Sequence, residues 1–222
     1  MIQNDFDVID KLAVCMDDLE KQEGFSGSVL VAREEETLLE KGYGRANIEL
    51  DVPNTPQTRF RIGSITKPFT ALCVMMLAER GDLRAEDTIE TYLPDIPEAW
   101  KEITIHHLMA HTSGMMHSWT LPEFIKTMSV RVTPQEVIDR FKDEPLVFAP
   151  GTGNHYSGVG YFVLAQVIEQ VAGKSWADFL QEEILDPAGM RDTGPNRYDL
   201  LLPGRASGYE RTDQDLMNAD PI

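Results

Sequence analysis

Apolar residues recur three and four apart over residues 5–23, at Phe6, Ile9, Leu12, Ala13, Met16 and Leu19, and predict a helix with one apolar stripe. Gly24 ends it. The pattern then turns β-like. GFSGSVLVAR and ETLLEKGYGRANIE flank a charged turn at residues 33–36 and predict an antiparallel pair, with TRFRIG at 58–63 as a short third strand.

Beyond Ser64 nearly every segment reads as helix or loop. ITKPFTALCVMMLAER is apolar almost all round and stops at Gly81, which predicts a buried central helix rather than a surface one. Thr104 opens a short helix through HHLMAH that breaks at Ser113 and Gly114. Thr133, Pro134 and Glu136 make a complete capping box for TPQEVIDRFK. Residues 157–172 form another apolar helix ended by Gly173, and Ser175 caps SWADFLQEEIL, which Pro187 and Gly189 stop.

The chain therefore divides into residues 1–63, part of an α/β lobe, residues 64–200, mainly helical, and residues 201–222, an irregular tail. Two strands alone are marginal in water, so the sheet half reads as unfinished.

At 222 residues and 42% hydrophobic content the chain can bury a real core. Its net charge of −17 repels nucleic acid and anionic membrane surfaces, leaving a small molecule as the expected partner. No run approaches the ~18 apolar residues of a membrane span. The N-terminus is acidic rather than basic ahead of its short apolar stretch LAVC, with Asp5, Asp7 and Asp10 against Lys11, so no export signal is expected. Cys15 and Cys73 lie in helical patterns with no framework spacing and imply no disulfide. A cytoplasmic location is expected, with a periplasmic or secreted protein whose signal peptide has been removed as the alternative.

The stretch RIGSITKPFT poses the chemical question, because Pro68 sits inside a predicted helix. Proline is tolerated where helical N–H groups have no acceptor, so the helix must begin close to Ser64. Ser64 then lies at the helix N-terminus, where free N–H groups favour developing negative charge. Lys67, three residues on, shares its face and can act as a base toward the hydroxyl.

Four segments in order, FRIGSITKPFTAL, GDLRAEDTIETYLP, ITIHHLMAHTSG and FAPGTGNHYSGVGYFVLAQVIEQVAGKSW, resemble the serine β-lactamase-like hydrolases. That family takes in class C β-lactamases, D-Ala-D-Ala carboxypeptidases, D-aminopeptidases and related esterases. The resemblance runs from about Phe25 to about Gly194 and implies an α+β serine β-lactamase/transpeptidase-like fold: an antiparallel sheet lobe flanked by helices plus an all-helical lobe. It implies that Ser64 is the acylated nucleophile, Lys67 its lysine one turn on, and Tyr156 the tyrosine that shuttles the proton. No cofactor and no metal is expected.

The sequence departs from the family twice. Gly158 stands at the substrate-binding position where the family has asparagine, and it removes a hydrogen bond to a substrate amide carbonyl. An ester, with its better leaving group, needs less help. The family's third motif, Lys-Thr-Gly or His-x-Gly on a later strand, has no counterpart in the sequence. The expectation is an N-terminal part of a longer protein, with the C-terminal segment as a further partner.

The sequence thus implies a serine hydrolase that forms an acyl-enzyme with a small ester, amide or β-lactam, with carboxylesterase activity favoured. The alternative is a non-catalytic or penicillin-binding pseudoenzyme or fragment. His107 and His111, four apart, invite a metal reading, but HLMAH lacks the glutamate of a His-Glu-x-x-His site. PGTGNH lacks the Gly-Lys-Ser/Thr of a phosphate loop and reads as a turn.

Overall fold

The computed structural model describes residues 3–121, 124, 132–196, 200–212 and 215–219, with the side chains of 3–7 outside the description. Phe6 of the predicted stripe therefore falls outside the described side chains. The chain forms two compact units, Met1–Arg61 with Asp199–Pro221, and Ile62–Tyr198.

In the first unit, α1 (Gln3–Glu23) turns Ile9, Leu12, Ala13, Met16 and Leu19 to its half-buried side. Strands β1 (Gly27–Arg33) and β2 (Glu36–Tyr43) pair antiparallel from Gly27↔Tyr43 to Arg33↔Glu36, with a register slip between Val31 and Ala32. Glu20 ties α1 to the end of this hairpin by accepting the Gly44 N–H at 2.7 Å.

A second pair follows, β3 (Arg45–Asn47) with β4 (Val52–Pro53). TRFRIG does not form the predicted third strand. Within it Arg59 forms an isolated parallel bridge to Arg205. Nor is the stretch 201–222 wholly irregular: β5 (Tyr209–Arg211) pairs antiparallel with β6 (Leu216–Asn218). Strands of three residues carry too little alternation to stand out from loop. The described sheets have two strands each.

The second unit is helical. A 3₁₀ turn at Gly63–Ile65 runs into α2 (Thr66–Arg80), which Gly81 ends in the left-handed region. Then come α3 (Ile105–Met109), α4 (Pro134–Phe141), α5 (Val159–Ala172) and α6 (Trp176–Leu180), the last continuing as a π turn over Gln181–Leu185.

The predicted caps form. Thr133 Oγ1 accepts the Glu136 N–H while Glu136 accepts the Thr133 N–H. Thr104 caps α3 in the same way, with His107 Nδ1 in the place of a carboxylate.

The central helix is α5, not α2. It packs against α2, α3, α4 and α6 and buries Val159, Val163, Leu164, Val167 and Ile168 to 1% exposure or less. Burying each such side chain contributes on the order of 1.5–3 kcal/mol. Helix α2 buries Thr70, Cys73, Val74 and Leu77 but leaves Leu72 and Met75 45% and 51% exposed. Its wholly apolar pattern could not indicate which faces meet a neighbour. No described helix is long and apolar enough to cross a membrane.

Candidate active site

The first turn of the 3₁₀ and α2 segment places Ser64 on the surface, with Pro68 at the third position of α2. There the missing proline N–H costs no helical bond. The Ser64 N–H lies in the same turn, where backbone donors have no intrahelical acceptor. One turn on, Lys67 Nζ donates to Ser64 Oγ at 3.2 Å.

The third participant arrives from 92 residues away. Tyr156 Oη donates to Ser64 Oγ at 2.6 Å. Lys67 Nζ lies 4.6 Å from the centre of the Tyr156 ring and 5.4 Å from that of Tyr161, so two aromatic rings surround the ammonium. All these groups belong to the second unit.

The segment 111–114 holds Tyr156 in place. The N–H groups of Val147, Gly151 and His155 donate to the carbonyls of Gly114, Thr112 and His111 at 2.8, 2.8 and 2.9 Å. Gly114 has φ +79°, and a Cβ there would stand 2.1 Å from the Phe148 carbonyl oxygen. Only glycine fits.

His111 follows α3 in the left-handed region at φ 58°, which costs a non-glycine residue about 1–2 kcal/mol. Three hydrogen bonds offset this. Its N–H donates to Leu108, its carbonyl accepts from His155, and its Nδ1 accepts the Ser157 N–H at 3.2 Å.

His111 and His117 flank Tyr156. Their ring centroids lie 4.6 Å and 5.2 Å from it, His117 in a stacked arrangement. His117 Nδ1 accepts the Trp119 N–H at 3.0 Å. In both rings Nδ1 is an acceptor, which fixes the neutral tautomer with the proton on Nε2. Neither ring was expected beside Ser64 and Tyr156. HTSG suggests a turn, and nothing in the spacing brings residue 117 to residue 156. The Nδ1 atoms of His107 and His111, the pair that invited a metal reading, accept backbone N–H groups instead.

Electrostatics divides the two tyrosines. Burial opposes ionisation of Tyr156, but its hydrogen bonding with Lys67 and Ser64 and the charge of Lys67 outweigh it and hold the phenol below its ordinary value. Tyr161 moves the other way: burial raises it, the neighbouring Tyr156 adds to the effect, and its hydroxyl donates to the Met109 carbonyl at 3.1 Å. Tyr156 is thus the more acidic phenol of the two and Tyr161 the less acidic. Burial pushes the Cys73 thiol up to about 12, so it is no competing nucleophile.

Burial followed by the charge of Lys67 lowers the pKa of both His111 and His117, and burial with His106 lowers that of His107. Between the folded values and the ordinary value near 6.5 the unfolded chain binds more protons, so stability is complete above ~6.5 and falls as pH drops through the folded values. Thermal unfolding from pH 7 to pH 5 is expected to show a falling Tm, and His117→Gln a shallower fall. Equal slopes in the two proteins would show that His117 takes no part.

A serine at a helix N-terminus, a lysine one turn on and a tyrosine brought in by a second segment define, on this fold, the serine β-lactamase/transpeptidase-like class. The chain belongs to the Beta-lactamase family, whose model matches residues 12–222. It is 34% identical over 204 residues to Penicillin-binding protein 4* of Bacillus subtilis (strain 168), an alignment covering 87% of this chain and 44% of that protein. With Esterase EstB of Burkholderia gladioli it shares 34% identity over 181 residues, covering 74% of this chain and 45% of the esterase. The fold matches the octameric penicillin-binding protein homologue from Pyrococcus abyssi with a TM-score of 0.82 at 30% identity, over 95% of this chain and 50% of that one. The chain thus spans half or less of the length of these relatives.

Proposed function

We propose that the second unit carries the nucleophilic half of a serine hydrolase that works through an acyl-enzyme and prefers small esters. The observation that carries the reading is the convergence of Lys67 Nζ at 3.2 Å and Tyr156 Oη at 2.6 Å on Ser64 Oγ.

In the resting arrangement both groups donate to Ser64 Oγ. Once Tyr156 is ionised the donation reverses, and the phenolate accepts the Ser64 proton as Oγ attacks the acyl carbonyl. Lys67, 4.6 Å from the centre of the Tyr156 ring, lies beside the phenolate and holds it. The Ser64 N–H at the helix start supplies one donor to the oxyanion, and Tyr156 returns the proton to the leaving group. Water then releases the acyl group by the same path.

The ester preference rests on Gly158, which offers no side-chain amide to a substrate. Trp119, 57% exposed and in edge contact with His117, offers an apolar surface to an acyl chain. The kinship with an esterase and with penicillin-binding proteins is in keeping with acyl transfer.

The test is the hydrolysis of p-nitrophenyl butyrate beside that of nitrocefin. Ester turnover is expected to exceed nitrocefin turnover by at least about 10²-fold in kcat/KM. Comparable rates would overturn the preference. A stable β-lactam adduct without any turnover would favour a penicillin-binding role.

A further inference from the structure

Gly158, which caps α5, does not need to be glycine for its backbone. Its φ of −74° and ψ of −35° are ordinary right-handed helical values. What forbids a side chain is Ser118: a Cβ on residue 158 would stand 2.6 Å from Ser118 Oγ, while the next atoms, Ser118 Cβ and N, lie at 3.6 and 4.0 Å. One hydroxyl fills the place where a side chain at 158 would begin.

That hydroxyl is held in place. Ser118 is 4% exposed. The residue before it stacks on Tyr156, and Ser157 Oγ donates to the Met116 carbonyl at 2.8 Å, so 116–118 is clasped to 156–158 on both sides. Among the described residues Ser118 Oγ makes no hydrogen bond. The hydroxyl stands beside the turn that carries the proton-transferring tyrosine, with its donor open to an acceptor brought in by a substrate.

We propose that Ser118 is a specificity-determining residue of this site, its hydroxyl standing in for a side chain at 158 and donating to the bound acyl substrate. The inference rests on the hydrolase reading above. A hydroxyl donates one hydrogen bond where a side-chain amide donates two, which suits an ester, whose oxygens only accept. Residues 118 and 158 then form a linked pair in which only one can carry a group into the shared space.

Two measurements test this. The first needs no activity. Gly→Ala at a helical backbone position ordinarily stabilises, but Gly158→Ala is expected to lower Tm by about 2–4 °C, and Ser118→Ala in the same chain to restore it. A Tm for Gly158→Ala at or above wild type would show that the two positions do not compete.

The second measurement is kinetic, run beside fluorophosphonate labelling of Ser64. Ser118→Ala is expected to lose about tenfold in kcat/KM for p-nitrophenyl butyrate, the scale of one lost substrate hydrogen bond, while Ser118→Thr, which keeps the hydroxyl, stays within about threefold of wild type. Labelling should persist in every variant. Labelling throughout with a fully active Ser118→Ala would overturn the role of Ser118 and leave the hydrolase reading standing. No labelling even in wild type would overturn the hydrolase reading and the substrate contact with it.

Discussion

Replacing Ser64 by alanine is expected to abolish ester hydrolysis, with a loss of at least about 10⁴-fold in kcat, because Ser64 Oγ is the group on which Lys67 and Tyr156 converge. Cys73 is fully buried and its thiol is pushed up to about 12. Ser64 is exposed, and its side-chain partners are the two groups that would activate it. The substitution therefore costs little stability, on the scale of about 0.5 kcal/mol for a surface site. A loss of activity at an unchanged Tm would be chemical in origin. Residual turnover within tenfold of wild type would place the nucleophile elsewhere.

The second large effect belongs to Tyr156→Phe. Phenylalanine keeps the ring that His111 and His117 flank and that Lys67 faces, and removes only the hydroxyl 2.6 Å from Ser64 Oγ. Removing a positioned general base or acid costs about 10²–10⁴-fold, and the loss should fall on kcat rather than on KM.

The pH dependence carries a sign. The folded Tyr156 ionises below its ordinary value of 10, so the acylation rate should rise with pH on a limb centred below 10 and fall away as the phenolate is protonated. In Tyr156→Phe the limb should vanish. A phenylalanine variant with the wild-type profile would remove Tyr156 from proton transfer.

The pairing of Ser64 with Lys67 was legible in the sequence. Pro68 located the helix start and Ser64 with it, and Ser-x-x-Lys placed two groups on one face, because both signals act within a single turn. The capping box at Thr133 was legible for the same reason. Tyr156 was reached through resemblance, since periodicity says nothing about a partner 92 residues away.

What stayed hidden depends on tertiary packing. His117 reaches Tyr156 because Gly114 turns the chain in a conformation closed to other residues, and Ser118 fills the space of a side chain that Gly158 lacks. Gly158 showed in the sequence only as a missing amide. The rank of α5 over α2 as the central helix was hidden too, because both are apolar nearly all round and only packing shows which faces are covered.

The most direct measurement is the intact mass of the chain after exposure to a fluorophosphonate, beside Ser64→Ala. The account predicts a single adduct in the wild-type chain that disappears in the alanine variant. A folded wild-type chain that takes up no probe, or an adduct that survives in Ser64→Ala, would contradict it.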